Sequence, residues 1–287
     1  MRTRTAIALF SACFAASAAT PKTPSRDVQT QVIAAARRAA LAYDQALPDF
    51  VCAEAISRYS DATGKGKYWS AVDSLMALLS YYGRQEHYRL VQFNHQPDSE
   101  GYDALSGATS RGEFGGMLRR VFDPAFAASF TWVRWDEVRG TRVQVYSYQV
   151  LRERSNFSLD YVNGPDEGRI VAGYHGLVYI DPAAAATLRI TVEADGLKEF
   201  QITLASTTLD YDYAAIAGRA YLLPLQAVTL MRAGEVMTKN VVDFESYQKF
   251  EAGSNVLYPK AEGGDNKAEG EGKKAEGENQ KTGPEDK

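Results

Sequence analysis

The sequence predicts an α+β fold that consists mainly of antiparallel β-strands. About a dozen segments have the composition and the apolar–polar alternation of strands. Only two segments, over residues 26–47 and 110–123, show the clear apolar spacing of a helix. Two pairs of strand segments are joined by short glycine-containing loops, which favours hairpins over parallel crossover units.

The composition excludes several classes of protein. Of the 287 residues, 45% are hydrophobic and 24% are charged, which are ordinary values for a soluble globular protein. The chain has 32 basic and 36 acidic residues, and this balance argues against nucleic-acid binding. With 3 His, 2 Cys and no nucleotide-binding loop, we expect no metal site, no cofactor and no disulfide framework.

The N-terminus has the features of an export signal over residues 1–19. Two arginines precede an apolar run, and Ala16-Ser17-Ala18 fits the small-x-small cleavage pattern. A lipoprotein signal anchored through Cys13 is a less favoured alternative. We therefore expect an exported protein, periplasmic or extracellular, without a transmembrane span.

The C-terminal residues 259–287 differ from the rest of the chain. They repeat a seven-residue unit that begins KAEG, and no position of the unit carries a large apolar residue. A coiled coil is therefore excluded, and we expect a disordered charged tail. Residues 20–258 are then predicted to form a single folded domain.

Two helices are predicted. The first begins after Ser25, which can cap it, and stops at Pro48. Its apolar stripe is formed by Val28, Val32, Ala35, Ala39, Tyr43 and Leu47.

The second helix starts with a capping box, Ser110 and Glu113, and ends at Asp123-Pro124. Its apolar face is Phe114, Met117, Leu118, Val121 and Phe122, and its glycines suggest close packing on a sheet.

One hairpin is predicted around a three-residue loop, Val138-Arg139-Gly140. Three cross-strand pairs follow from that loop, namely Trp132 with Tyr146, Phe130 with Tyr148, and Asp136 with Arg142. Both faces of this hairpin carry large apolar residues. Something must therefore cover both faces, or one face must line a cavity.

A second hairpin is predicted to pair Val192 with Phe200 and Ile190 with Ile202 through a loop of three or five residues. One of its faces is apolar, and the other is polar and expected to face water. A separate short strand is expected at residues 209–213. Its Asp210 and Asp212 would share one face, an arrangement found in glycoside hydrolases but more often at the solvent face of a strand. His175 is expected at the surface or at an edge.

Three segments resemble the outer-membrane lipoprotein-sorting, or LolA-like, family. They are Gly173–Asp181, the stretch from Tyr221-Leu-Leu-Pro224 to Phe250, and the opening strand Leu47–Glu54. The resemblance is best over residues 170–258. It implies a curved, open antiparallel half-barrel with helices on its concave side. We expect about ten or more strands, with the N-terminal helix and a helical insert on the concave side. The loop-and-helix insert around residues 95–125 departs from the family pattern. The resemblance also implies a hydrophobic cavity for acyl chains.

The favoured hypothesis is a non-enzymatic envelope protein that binds a lipid or a lipoprotein acyl chain on the concave face of the sheet. Candidate ligand-binding residues share one face of the first hairpin, namely Phe130, Trp132, Tyr146 and Tyr148. Expected partners are the hydrophobic ligand or lipoprotein and an envelope protein, with no nucleic acid. The alternatives are an interaction module with a filled core and a hydrolase of envelope polymers that uses Asp210 and Asp212.

Overall fold

Eleven antiparallel strands form one curved sheet that stays open, and two helices pack on one of its faces. The computed structural model describes residues 22–97, 114–163, 166–197 and 202–250. The predicted export signal, Cys13, the charged tail and the capping box Ser110–Glu113 lie outside these residues. The mainly β, half-barrel fold class predicted from the sequence is confirmed within them.

The described strands follow one another mostly as sequence neighbours. They are β1 Phe50–Asp61, β2 Ser70–Tyr82, β3 Gln85–Phe93, β4 Gln96–Pro97, β5 Ser129–Val138, β6 Thr141–Val150, β7 Ser158–Asn163, β8 Asp166–Val171, β9 Gly173–Asp181, β10 Ala186–Asp195, β11 Ile202–Ile216, β12 Arg219–Ala233 and β13 Val236–Lys249. The large sheet has the order β4-β3-β2-β1-β13-β12-β11-β10-β9-β6-β5, and β7 and β8 pair separately. Because β4 and β5 do not pair with each other, the sheet has two edges.

Helix α1 spans Arg26–Ala46 and begins where the sequence predicts. The Val28 backbone N–H donates to the Ser25 side-chain oxygen at 3.4 Å, which caps the helix. Its buried residues are Val32, Ala36, Ala40 and Tyr43. The predicted stripe was therefore partly wrong, since Ala39 is exposed and Ala36 and Ala40 take the core positions. Because neighbouring alanines are equally small and apolar, the sequence does not show which of them faces the core.

Helix α2 spans only Gly116–Phe122 and packs on α1. Its four buried residues, Met117, Leu118, Val121 and Phe122, belong to the predicted apolar face. The N-cap is Gly115 in the left-handed region, with φ of 106°. A Cβ on Gly115 would lie 1.8 Å from Asp44 Oδ1 of α1, so the glycine permits close approach to a helix, where a sheet was predicted.

The main core lies between the two helices and the inner face of the sheet, which we define as the face that they cover. Tyrosine hydroxyls in this core donate to backbone carbonyls, as Tyr43 does to Leu222 at 2.8 Å and Tyr174 to Arg120 at 2.7 Å. Cys52 is fully buried in β1, and burial raises the pKa of its thiol. In the described residues, no helix is long and apolar enough to cross a membrane.

The β5–β6 hairpin has two of the three predicted pairs. Trp132 pairs with Tyr146 and Phe130 with Tyr148, but Asp136 faces Val143 where Arg142 was predicted. The loop is a two-residue turn of Arg139 and Gly140, both with positive φ, instead of the predicted three-residue loop. A bulge at Val133 shifts the register by one residue, so the pairs beyond it agree with the prediction.

The predicted register of the next hairpin was wrong. Ile190 of β10 pairs with Leu209, not with Ile202, and Val192 pairs with Thr207. Strand β11 is one continuous strand of 15 residues, so the separately predicted strand at 209–213 is its second half. Leu209 is fully buried and pairs with β10, whereas Ile202 packs in a separate cluster beside Leu197.

Candidate functional site

Two grooves lie on opposite faces of the sheet at the β5–β6 hairpin. The inner groove, of about 580 Å³, lies between α1 and the hairpin and is lined by Arg26, Gln29, Thr30, Ile33, Ala34, Arg37, Phe130, Thr131, Trp132 and Tyr146. The outer groove, of about 790 Å³, is lined mainly by residues of the opposite face. Because successive side chains of a strand alternate between faces, one hairpin supplies both linings.

The inner groove contains three of the four predicted ligand-binding residues. Phe130, Trp132 and Tyr146 line its sheet side, and Ile33 and Ala34 line its helix side. Phe130, Trp132 and Ile33 are partly buried against the main core, so they expose apolar surface to the groove while remaining anchored by packing. Aromatic rings held in this way form a rigid apolar wall.

Tyr148, the fourth predicted residue, is not part of the inner lining. It is 3% exposed, and its hydroxyl donates to the Thr191 carbonyl at 2.8 Å. Its neighbour Tyr146 is 1% exposed and donates to Gln144 Oε1. Burial raises the pKa of Tyr146 to about 12 and that of Tyr148 well above its usual value, so both phenols are neutral at physiological pH.

Trp132 has an unusual feature for a residue at a groove. Its indole Nε1 is shielded from solvent and has no hydrogen-bond partner among the described residues. A buried donor without an acceptor costs about 1–3 kcal/mol.

Two arginines of α1 line the inner groove. Arg37 donates from Nε to the Phe122 carbonyl at 3.1 Å, the last carbonyl of α2, which fixes its guanidinium beside the groove. Phe122 in turn stacks on Phe130 with ring centroids 5.6 Å apart. Arg26 is the first residue of α1, and Arg37 follows it 11 residues later, a separation of about 16 Å along a helix.

Sequence reasoning missed the helix side of this groove. Arg26, Thr30, Ile33 and Arg37 recur at helical spacing and form a second stripe beside the buried one. The helical spacing of these residues was visible in the sequence, but their stripe combines two arginines with one isoleucine. Such a mixture normally indicates a solvent-exposed helix face.

The outer groove has a polar lining. Its hydroxyl-bearing residues are Ser129, Thr131, Ser147, Tyr148, Thr191, Ser206, Thr207 and Thr208. His175 lies here, exposed in the interior strand β9, with Nδ1 2.8 Å from Asp195 Oδ1. This lining is typical of the water-facing side of an antiparallel sheet.

Gly176 is one of the residues that line the outer groove. A Cβ at this position would lie 1.8 Å from the Thr191 carbonyl oxygen. Around it the β9–β10 ladder is replaced by other bonds, because Leu177 N donates to Thr191 Oγ1 at 2.8 Å and Tyr148 occupies the Thr191 carbonyl. The close approach of the two strands here therefore requires a glycine.

Asp210 and Asp212 are held in ion pairs. Arg189 donates twice to Asp210, at 2.6 and 2.9 Å. Arg139 donates to Asp212 at 3.0 Å and also lies 3.6 Å from Asp210. Both carboxylates therefore bind guanidinium groups that link β10, β11 and the β5–β6 turn. This is a stabilising role.

Comparison with known proteins gives structural similarity only. No protein-family model matches the chain, and no curated protein does. A DUF1329 family protein from Desulfovibrio piger has 12% identity and a TM-score of 0.39, over 78% of this chain and 95% of that one.

Two further solved structures are similar. A LolA superfamily protein from Nitrosomonas europaea has 9% identity and a TM-score of 0.37, over 78% of this chain and 94% of its own. A putative outer membrane lipoprotein-sorting protein domain from Vibrio parahaemolyticus has 12% identity and a TM-score of 0.34, over 79% and 95%. These two carry the name of the family that the sequence motifs resemble.

Proposed function

We propose that this protein is a non-enzymatic, exported carrier that binds a single hydrophobic chain in the inner groove. The observation that carries the proposal is an open, partly aromatic groove on the face of the sheet that the helices cover. Its volume of about 580 Å³ lies within the range of roughly 300–1,000 Å³ that is usual for small-molecule sites.

The geometry limits the size of the ligand. The packed core fills much of the inner face, and the groove between α1 and the β5–β6 hairpin has a volume of about 580 Å³. Burying one methylene contributes about 0.8 kcal/mol, and eight buried methylenes would contribute about 6 kcal/mol before ordering costs. One chain of moderate length therefore suffices for measurable affinity, while a ligand with three chains would not fit this groove.

A blocking substitution tests the proposal. Ala34 lines the groove, whereas Ala39 on the same helix is exposed and lies outside the groove lining. Ala34→Trp should fill the groove and lower the affinity for dodecanol at least about tenfold, since a bulky side chain would displace the buried methylenes. Ala39→Trp is the matched control and should bind as the wild type does.

The measurement is isothermal titration calorimetry with dodecanol below its solubility limit, after circular dichroism has shown that both variants are folded. A wild-type protein that binds neither dodecanol nor any other ligand with a single twelve-carbon chain would contradict the proposal. So would equal binding by the wild type and the Ala34→Trp variant, because the ligand would then occupy another place.

A further inference from the structure

The described charged residues that line the inner groove are all of one sign. Arg26 and Arg37 contribute two positive charges, and none of the described lining residues is acidic. The other polar residues that line it are neutral, namely Gln29, Thr30, Thr131, Trp132 and Tyr146. This positive groove occurs in a chain whose net charge is −4, so it does not simply reflect the average surface.

Neither guanidinium has a carboxylate within ion-pairing distance in the described part of the chain. Three arginines of the strands and turns are paired with carboxylates. Arg58 binds Asp73, Arg139 binds Asp212 and Arg189 binds Asp210. A cation without a carboxylate partner beside an apolar wall is a recognition element for an anion, because charge-assisted hydrogen bonds are about twice as strong as neutral ones.

The two guanidiniums start from opposite ends of the groove. Their Cα atoms are about 16 Å apart along α1, and the apolar side chains of Ile33 and Ala34 lie between them. An acidic group bound at one end would therefore leave its chain in the apolar middle. Trp132, which forms part of the apolar lining, also carries an indole N–H that has no partner among the described residues.

We infer that the ligand of the inner groove is an anionic amphiphile, with its aliphatic chain against Ile33, Phe130 and Trp132 and its carboxylate or phosphate group at Arg26 or Arg37. This inference rests on the proposed function and specifies its ligand class. The shared chemistry is a single acidic group on a single chain. A neutral alcohol or ester of equal length lacks the group that the arginines bind.

Three ligands of equal chain length test the inference, namely dodecanol, laurate and dodecyl phosphate, each titrated calorimetrically below its micelle concentration. Laurate, dodecyl phosphate or both should bind at least about tenfold tighter than dodecanol. The tighter of the two identifies the acidic group. Rising salt should weaken the binding of the anions and leave that of dodecanol unchanged.

Variants then assign the effect to the arginines. In the double variant Arg26→Gln, Arg37→Gln, laurate should fall to the affinity of dodecanol, while dodecanol binding itself shows that the groove is intact. Arg38→Gln is the matched control, since Arg38 is exposed on the same helix and lies outside the groove lining. Arg37 also supports the Phe122 carbonyl, so Arg37→Lys, which keeps the cation, should retain the preference for the anions.

Two results overturn the inference and leave the proposed function standing. One is equal affinity of the wild type for the three ligands, and the other is a preference for the anions that survives in the double variant. Failure of all three ligands to bind would overturn the proposed function together with the inference.

Discussion

The inner and outer grooves of the β5–β6 hairpin share strands but differ in chemistry. Phe130, Trp132 and Tyr146 point to one face, while Ser129 and Ser147 belong to the other. The outer groove is the larger, at about 790 Å³ against about 580 Å³. Size alone would select the outer groove, yet its hydroxyl-rich lining is what a sheet presents to water. The chemical character of the lining residues, more than the volume, therefore distinguishes a groove suited to a hydrophobic ligand from a surface that faces water.

The largest expected effect is alkaline unfolding, which depends on the buried tyrosines of the inner face. Burial raises the pKa of the inner-face phenols, that of Tyr146 to about 12 and those of Tyr148 and Tyr174 above their usual value. The tyrosines of the unfolded chain ionise near pH 10, whereas the buried phenols of the folded protein ionise only at higher pH. The stability that these phenols contribute is therefore complete below about pH 10 and is lost as the pH rises toward 12. The protein should therefore unfold cooperatively in this alkaline window.

Phenolate absorbance followed together with circular dichroism checks this prediction. The buried phenols should ionise only as the secondary structure is lost. Complete ionisation of all tyrosines in a protein that keeps its circular dichroism spectrum would mean that the inner face is as wet as the outer one.

The next effect concerns the shape of the outer groove. Gly176→Ala should destabilise the protein by about 3 kcal/mol, because a Cβ 1.8 Å from the Thr191 carbonyl oxygen forces the backbones of β9 and β10 apart. The control is Gly116→Ala, where nothing lies within 4 Å of the new Cβ and helix propensity improves. Urea unfolding measures both variants, and a Gly176→Ala variant as stable as the control would show that the strands do not approach so closely.

The smallest effect is expected at His175. Its contact with Asp195 is exposed, with 47% and 38% of the two side chains accessible. Exposed pairs contribute about 0.2–1 kcal/mol, so His175→Ala should change the free energy of unfolding by less than about 1 kcal/mol and leave dodecanol binding unchanged. Reduced dodecanol affinity in this variant would place the ligand in the outer groove and reverse the comparison.

The sequence predicted the faces of the β5–β6 hairpin but not its turn, and it did not predict the β10–β11 register. The face of the β5–β6 hairpin was predictable because a period of two separates Phe130 and Trp132 from Ser129 and Thr131. Its turn was not, since a two-residue loop with a bulge at Val133 gives the same distant pairs as a three-residue loop. The β10–β11 register failed because a single 15-residue strand offers apolar residues at both of its ends.

The helix side of the groove was harder to predict than the strand side. An arginine at a groove and an arginine in water look alike in a sequence, and only the position of the Phe122 carbonyl distinguishes Arg37. Tyr148 shows the converse case, since it has the right face and residue type but is enclosed by Thr191 and the core. Whether a side chain on the correct face is accessible depends on the elements packed above it.

The open edge of the sheet has a consequence for kinetics. Among the described strands, β5 is the last one of the sheet, and the inner groove lies beside it. The proposed ligand would therefore enter sideways between β5 and α1 without breaking a hydrogen bond of the ladder, whereas the cavity of a closed barrel is reached only through its ends. Exchange is then governed by the desolvation of the chain and by side-chain motion, so loading and release can be fast while the fold stays intact.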